Sequence, residues 1–549
     1  MSYIRDFSVS ANMISELNDW QYGINWPVVY IYYNDKRAYV GETLDAVRRV
    51  EQHSAEKQFD EFTKVCFITN ITFNKSVILD LESFLIRYMS ADGGRKLING
   101  NAGVCNHNYF YKEAYEDDFK EIWNMLKSRG IVSKTIFDIE NSELFKYSPY
   151  KSLNSEQRNA ACEILHKIYK MNNASKESLI EVVGGAGTGK TILAVYVIKL
   201  LVDISRQRNT WQSVDDLEEA NLIKNLAIKM SGINRIGFVV PMKELRHTMK
   251  TIFNSIDGLS SKMIYAPEEV TKEYFDILFV DEAHRLYQNK HLPQGAMSKF
   301  KTINMQLMGD EYHNDVNDLT ELDWIIRSSR MQVLFYDNRQ SIRTPDISKE
   351  RFEAICKPYL YKYIELYSQM RCKGGNGYYE YVRDILEGSK TRAVKHKEIR
   401  DYTVDVVDNI SELVEFIDYQ NEHGDGLCKV VAGPGWSINE DIVIEDTTYH
   451  WAGSGLENDK IFSIHKTQGF DLNYAGVIFG KEVYFDKESG SIQINRKELR
   501  DSHTKSSGED SMRQYVLNIY LTLLTRGING TVIYAMDNNL REYLRQYFG

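Results

Sequence analysis

Gly184, Gly187 and Gly189, followed at once by Lys190 and Thr191, lie in the stretch IEVVGGAGTGKTILAVYVI at 180–198. Glycines let the backbone curl there so that successive N–H groups point at phosphate oxygens. At this spacing Lys190 reaches the β- and γ-phosphates, and Thr191 offers its hydroxyl to Mg2+. Three β-prone residues precede the turn and an amphipathic helix follows, which puts the positive end of the helix at the same spot. The chemistry implied is capture of ATP. A second stretch, YFDILFVDEAHRL at 274–286, ends an apolar strand in Asp281 and Glu282. Asp281 is expected to hold the water shell of the metal, and Glu282 to orient or deprotonate the attacking water.

Downstream, LFYDNRQSI (334–342) ends another strand with Asp337 and Gln340. SIHKTQGFD (463–471) carries Gln468 and Asp471, LYSQMRC (366–372) carries Arg371, and YLTLLTRGINGTVIY (520–534) carries Arg526. Upstream, LNSEQRNA (153–160) resembles the adenine-reading Q-motif of helicases, which implies that Gln157 reads the adenine. The DEAH tetrad alone points to superfamily 2 helicases, but the remaining stretches resemble superfamily 1. LFYDNRQSI is similar to GDxxQ, SIHKTQGFD to HKxQGxE with aspartate for glutamate, and LLTRG to ALTRA. The wording DEAHRL, QMRC, HKTQGFDLNYAGVIFG and LLTRGINGTVIY resembles the Schlafen-like group of superfamily 1 helicase domains over 150–549. That resemblance implies two RecA-like domains with ATP between them. It also implies that Arg526 and Arg371 donate charge to the γ-phosphate. In FVVPMKELRHTMK (238–250), Lys243 and Arg246 stand where such proteins contact a strand. The same residues equally fit a solvated helix face.

The N-terminal part has its own pattern. WPVVYIYYNDKRAYVGETLDAVRRVEQH (26–53) reads as two strands, then a helix with Arg49 and His53 on one face. ILDLESFLIRYMSADGGRKLINGN (78–101) follows, with Glu82 in an apolar helix. This resembles the GIY-YIG nuclease family, Tyr30 falling on the tyrosine of GIY and Tyr39, Val40 and Gly41 on YIG. Arg49 matches the arginine of the family, Glu82 its metal ligand, and Asn99, or less closely Asn101, its later asparagine. Val28 stands where the family has the first glycine. Phosphodiester hydrolysis needs an activated water, a neutralised phosphate and help for the leaving oxygen. The resemblance implies a divalent ion (Mg2+, or Mn2+) on Glu82 for the last and Arg49 for the second. Tyr39, aided by His53, takes the proton, provided its neighbours lower its pKa from about 10.

These residues need elements to hold them. The chain has 549 residues, enough for several domains with real cores. Hydrophobic residues make up 43% and charged residues 26%, a globular profile. Lys and Arg number 67 against 77 Asp and Glu, a net charge of −10, so any polyanion must meet local basic patches. Six scattered cysteines with no CxxC pair argue against zinc or disulfides and for a reducing compartment. The most apolar run, 191–204, is too short for a bilayer, and the N-terminus does not read as a signal peptide. A soluble cytoplasmic protein without a membrane partner is expected.

The expected fold is α/β. A small α+β GIY-YIG nuclease domain (1–110) is followed by a helical linker (111–150) and two RecA-like parallel α/β domains (151–345 and 346–549). Within the linker, 113–131 reads as one amphipathic helix. The polar stretch 486–510 reads as an inserted hairpin and loop, and 208–224 as surface decoration. The function expected is an ATP-dependent nucleic-acid helicase or translocase fused to a metal-dependent endonuclease. Nucleic acid is the partner, DNA favoured over RNA, and bacterial anti-phage defence is the analogy. A homo-oligomer or a defence-system partner subunit fits that setting. Two alternatives stand beside it: an ATP-gated nuclease switch without translocation, and an ATPase with a non-catalytic nucleic-acid-binding module.

Overall fold

The computed structural model describes residues 3–10, 12–99, 109–140, 142–146, 153–174, 178–185, 187–206, 225, 233–289, 292, 294–309, 319–337, 346–367, 372–388, 399, 402–423, 426–437, 440–452, 460–463, 472–500 and 509–549. By its contacts the chain divides into two compact units. The first comprises 1–180, 191–281 and 328–333; the second comprises 181–190, 282–327 and 334–549.

In the first unit, the N-terminal sheet contains β1 (Tyr3–Ser8), β2 (Val28–Tyr33), β3 (Arg37–Thr43), β4 (Lys64–Thr69) and β5 (Lys96–Leu97), in the order β1-β4-β2-β3-β5. Neighbours pair antiparallel except β3 and β5, which run parallel. Every residue of β2 (VVYIYY) is buried, because helices cover both faces of the sheet. Val28, in place of glycine, is buried and faces Thr43 across the ladder.

The helices here are α1 (Met13–Asn18), α2 (Ala46–Ser54), α3 (Lys75–Asp92), α4 (Lys112–Ser128), α5 (Ile136–Glu140) and α6 (Glu143–Lys146). The expected amphipathic helix of 113–131 is α4. Its apolar residues Phe119, Ile122, Trp123 and Leu126 follow helical spacing and are all buried. They share one core with Leu81, Leu85 and Met89 of α3, joined by Ile131, Val132 and Ile139. The segment read as a linker is thereby a packed layer of the N-terminal core.

From α7 (Ser155–Ala174) onward the chain alternates strand and helix: β6 (Leu179–Gly184), α8 (Lys190–Ser205), β7 (Ile236–Val239), α9 (Lys243–Ser255), β8 (Ile264–Tyr265), β9 (Phe275–Val280), β10 (Ser329–Tyr336) and β11 (Leu360–Leu366). The six strands form one sheet in the order β11-β6-β10-β9-β7-β8, and β7 pairs parallel with both β8 and β9.

The second unit contains a further sheet of parallel strands in the order Thr403–Val406, Gly527–Ala535, Leu472–Phe479, Lys429–Ala432, Ile461–Ser463. Buried strand residues such as Val431, Val477 and Ile533 pack with Tyr520 and Leu524 of the helix Glu509–Leu524. The expected hairpin is present, Val483–Asp486 pairing antiparallel with Ser491–Ile494. The loop at 501–508 lies outside the described residues, as does 208–224.

Candidate functional site

The N-terminal constellation is built on three elements of the first unit. β3 pairs with β2 so that Tyr30 faces Gly41 and Tyr32 faces Tyr39. A Cβ at position 41 would lie 2.3 Å from Tyr30 Oη, so only glycine lets the two strands close around that hydroxyl. α2 starts where the Asp45 carboxylate accepts the Arg48 N–H at 2.9 Å. It then presents Arg49 and His53 one turn apart. Arg49 Nε donates to Tyr30 Oη at 2.9 Å, and Tyr30 Oη lies 2.8 Å from His53 Nε2.

The Tyr30 hydroxyl accepts from Arg49 Nε and shares a second hydrogen bond with His53 Nε2, the imidazole tautomer setting its direction. His53 is held neutral, its pKa pushed down to about 3 by burial and by the Arg49 charge. Burial, reinforced by Tyr39, raises the Tyr30 phenol well above its ordinary range. The lowered Tyr39 pKa expected from sequence is not found. Burial pushes Tyr39 up and the Glu82 charge adds to the rise, outweighing the Arg49 guanidinium and its hydrogen bond. His53 also serves Tyr30 by hydrogen bond, whereas it meets Tyr39 ring to edge at 5.7 Å between centroids.

Glu82, half-buried on α3, is close enough to raise the pKa values of both tyrosines. Asn99 brackets Val40, accepting its N–H at 3.0 Å and donating to its carbonyl at 2.7 Å. That pair of bonds fixes the backbone between Tyr39 and Gly41, so Asn99 positions the strand. Asn101 lies outside the described residues. Among the described residues, no group of three or more His, Cys, Asp or Glu could hold a metal. A divalent ion would take Glu82 as its protein ligand and fill its shell with substrate and water oxygens.

The nucleotide motifs fall in both units. In the first, Thr191 opens the first turn of α8 and its hydroxyl donates to Asp281 Oδ2 at 2.7 Å. Asp281 is fully buried just past β9, and its own N–H is held by Val239 O at 3.0 Å. Hydroxyl and carboxylate so paired are the two protein oxygens that would bind Mg2+ or its water shell.

In the second unit, Lys190 Nζ donates to the carbonyls of Gly184 and Gly185 at 2.7 and 2.9 Å. It also lies 3.5 Å from Asp337 Oδ2, with both side chains nearly inaccessible. Gly187 (φ 83°) and Gly189 (φ 79°) adopt the left-handed backbone that the turn requires.

Glu282 holds φ 47° and ψ 46°, a left-handed conformation that is costly for a non-glycine residue. His284 lies beside it. Its Nδ1 accepts the Asp337 N–H at 3.3 Å, leaving the proton on Nε2, which faces Glu282 Oε2 at 3.2 Å. His284 is absent from the expected site residues, and its place in the DEAH tetrad is the one sequence signal that points to it.

Other expectations meet competing bonds. Gln157 is buried and reciprocates with Asn154, each side-chain oxygen accepting the other's backbone N–H at 3.2 and 2.7 Å. It thereby forms a capping box at the start of α7. Arg246 donates to the carbonyls of Val240 and Pro241 at 2.6 and 3.0 Å. Its guanidinium therefore ties α9 to the end of β7, while Lys243 is exposed. Arg526 is buried between the helix Glu509–Leu524 and the strand Gly527–Ala535. Gln340, Arg371, Gln468 and Asp471 lie outside the described residues. No helix among the described residues is long and apolar enough to cross a membrane.

The chain is 23% identical over 411 residues to an uncharacterized protein of Saccharomyces cerevisiae, spanning 66% of this chain and 82% of that one. Among solved structures it is similar to an arterivirus nonstructural protein 10 helicase in complex with DNA. The TM-score is 0.28 at 13% identity, over 67% of this chain and 62% of the viral chain, so under two thirds of that chain is spanned. It is also similar to Pif1 helicases at forked double-stranded DNA, with TM-score 0.26 and 12% identity over 69% of this chain and 92% of theirs. Residues 177–537 match the family of Schlafen group 3 DNA/RNA helicase domains. That match takes in well over half of the chain and every nucleotide motif from Gly184 to Arg526, and the chain belongs to this family.

Proposed function

We propose that this chain couples an ATP-hydrolysing helicase or translocase domain to a metal-dependent endonuclease acting on nucleic acid, with DNA favoured over RNA. The observation that carries the finer half is the Tyr30 hydroxyl held between Arg49 and His53 beside Glu82. A purely structural tyrosine needs one partner; this one engages both a cation and a neutral imidazole in the order of the GIY-YIG motif. The match of 177–537 to a DNA/RNA helicase domain family supports a polynucleotide partner.

At the nuclease site Arg49 neutralises the scissile phosphate, while a divalent ion on Glu82 would stabilise the leaving oxygen. The high pKa of Tyr39 makes it a poor resting base. The Tyr30 hydroxyl holds the Arg49 guanidinium that meets the phosphate; its own raised pKa and the lowered pKa of His53 make that pair a positioning device and not a proton acceptor. At the nucleotide site Lys190 exchanges its carbonyl partners for phosphate oxygens, Thr191 and Asp281 hold Mg2+, and Glu282 orients water. The pairing suits defence against phage or foreign DNA.

A second reading, an ATP-gated nuclease that does not translocate, is favoured by Arg246, whose guanidinium is engaged by Val240 and Pro241 carbonyls. Incubating the full chain with plasmid, single strands and RNA, with and without ATP and Mg2+, separates the readings. Strand displacement and nucleic-acid-stimulated ATPase mark a motor. Cutting controlled by ATP without displacement marks a gate, and no cutting in Mg2+ or Mn2+ removes the nuclease.

A further inference from the structure

Asp257 lies in the first unit, two residues past α9, and its carboxylate is 3.8 Å from Lys96 Nζ on β5 of the N-terminal sheet. Its side chain is 12% exposed against 32% for Lys96, so the contact sits at a shielded place. Asp257 also favours the charged form of Arg37 on β3, after the larger contribution of the Arg37–Glu61 hydrogen bond. Lys96 and Arg37 are register partners across the parallel β3–β5 pair. Lys96 N–H bonds Lys36 O at 2.8 Å and Ile98 N–H bonds Ala38 O at 2.9 Å. The next residue, Asn99, clamps Val40 beside Tyr39.

The other end of this path is the nucleotide motif. The Asp281 N–H bonds Val239 O at the end of β7, and α9 follows. α9 is seated on that strand by the stacked rings of Phe238 and Phe253, with Ile252 and Ile256 also buried. In addition, α6 touches both α9 and α3, the helix that bears Glu82. A packed path thus runs from Asp281 to two places in the N-terminal domain, β5 beside β3 and the C-terminal end of α3, where Phe145 of α6 meets Tyr88.

We infer that Asp257 is a positioning residue that links nucleotide state to the nuclease strands, its contact with Lys96 carrying movement of α9 into β5 and β3. This rests on reading the N-terminal site as a nuclease. A static surface ion pair would add little to stability and would be indifferent to nucleotide. A coupling contact requires a response that both sites share.

The test uses the full chain as wild type, Asp257→Lys, Asp257→Asn and the double charge swap Asp257→Lys with Lys96→Asp. Amide hydrogen exchange of 37–43 and 96–99 is followed with and without a non-hydrolysable ATP analogue, beside ATP hydrolysis and cleavage. Wild type should change exchange in these strands by about twofold or more on nucleotide binding, and the double swap should recover the response that either single variant loses. ATP hydrolysis should stay within about twofold of wild type in all of them. A wild-type exchange pattern blind to nucleotide, or Asp257→Asn responding like wild type, overturns the inference. If the exchange response behaves as expected but no substrate is cut, the nuclease reading fails while the coupling contact stands.

Discussion

Tyr30 Oη and His53 Nε2 are 2.8 Å apart, and Arg49 Nε approaches the same oxygen from 2.9 Å. One phenol therefore joins a cation to a neutral base inside a buried pocket. Tyr30→Phe keeps the ring and its packing but breaks both bonds. Cleavage should fall by about tenfold or more as the Arg49 guanidinium loses its anchor, and stability should drop by the worth of a buried hydrogen bond, about 1–3 kcal/mol, read as a lower thermal midpoint. Cleavage kinetics beside a melt check this; an equally active variant would make the hydroxyl structural.

His53 also shapes stability. Its folded pKa of about 3 is depressed from 6.5, so between these values the unfolded chain binds the extra proton. Stability should fall as pH drops from 6.5 towards 3, and His53→Gln should flatten that slope. Denaturant titrations across the window measure it. An unchanged slope would mean that His53 is protonated without penalty in the folded chain.

Gly41→Ala places a methyl group 2.3 Å from Tyr30 Oη. The strands must part or Tyr30 must swing away, an overpacking cost of about 1–3 kcal/mol. The variant should be less stable and should lose cleavage, while its ATPase, seated in other elements, persists. A melt and the two activity assays decide.

Glu482 carries the opposite pH sign. It is fully buried, accepts a hydrogen bond from Tyr520, and burial pushes its pKa up from 4.5 to about 7. The folded chain holds the extra proton between those values, so stability should decline as pH rises from 4.5 to 7. Glu482→Gln should remove that decline and leave the protein more stable at pH 8, as read by denaturant midpoints. A midpoint that is lower at pH 8 would contradict the assignment.

Local pattern revealed much of this architecture because the information was local. The glycine turn before Lys190, the apolar strand before Asp281 and the helical spacing of Phe119, Ile122, Trp123 and Leu126 each sit within one element. What pattern could not supply was which of several available partners a side chain takes. Gln157 serves its own helix cap and Arg246 serves two carbonyls, uses that a motif at fixed spacing does not reveal. The raised Tyr39 pKa depends on how deeply β3 is covered, and packing of α4 against α3 turned an expected linker into core. His284 needed the position of Asp337, 53 residues away, before its role could be stated.

Glu282 stands in a strained backbone conformation with His284 facing its carboxylate at 3.2 Å. Glu282→Gln keeps shape and removes the base, so ATP turnover should slow by about 10²-fold with nucleotide affinity retained. Lys190→Ala should lose both, since its ammonium would neutralise the β- and γ-phosphates. Steady-state hydrolysis and nucleotide titration distinguish the two patterns; wild-type turnover in either would refute the site.

The central claim, two chemistries on one chain, is tested most directly by cleavage and ATPase assays on wild type and Glu82→Ala side by side in Mg2+ and Mn2+. Glu82 sits on α3, outside every nucleotide motif. Wild type should cut nucleic acid only with divalent metal, and Glu82→Ala should lose cutting while hydrolysing ATP within about twofold of wild type. Equal cutting by both proteins, or none by wild type in either metal, would contradict it.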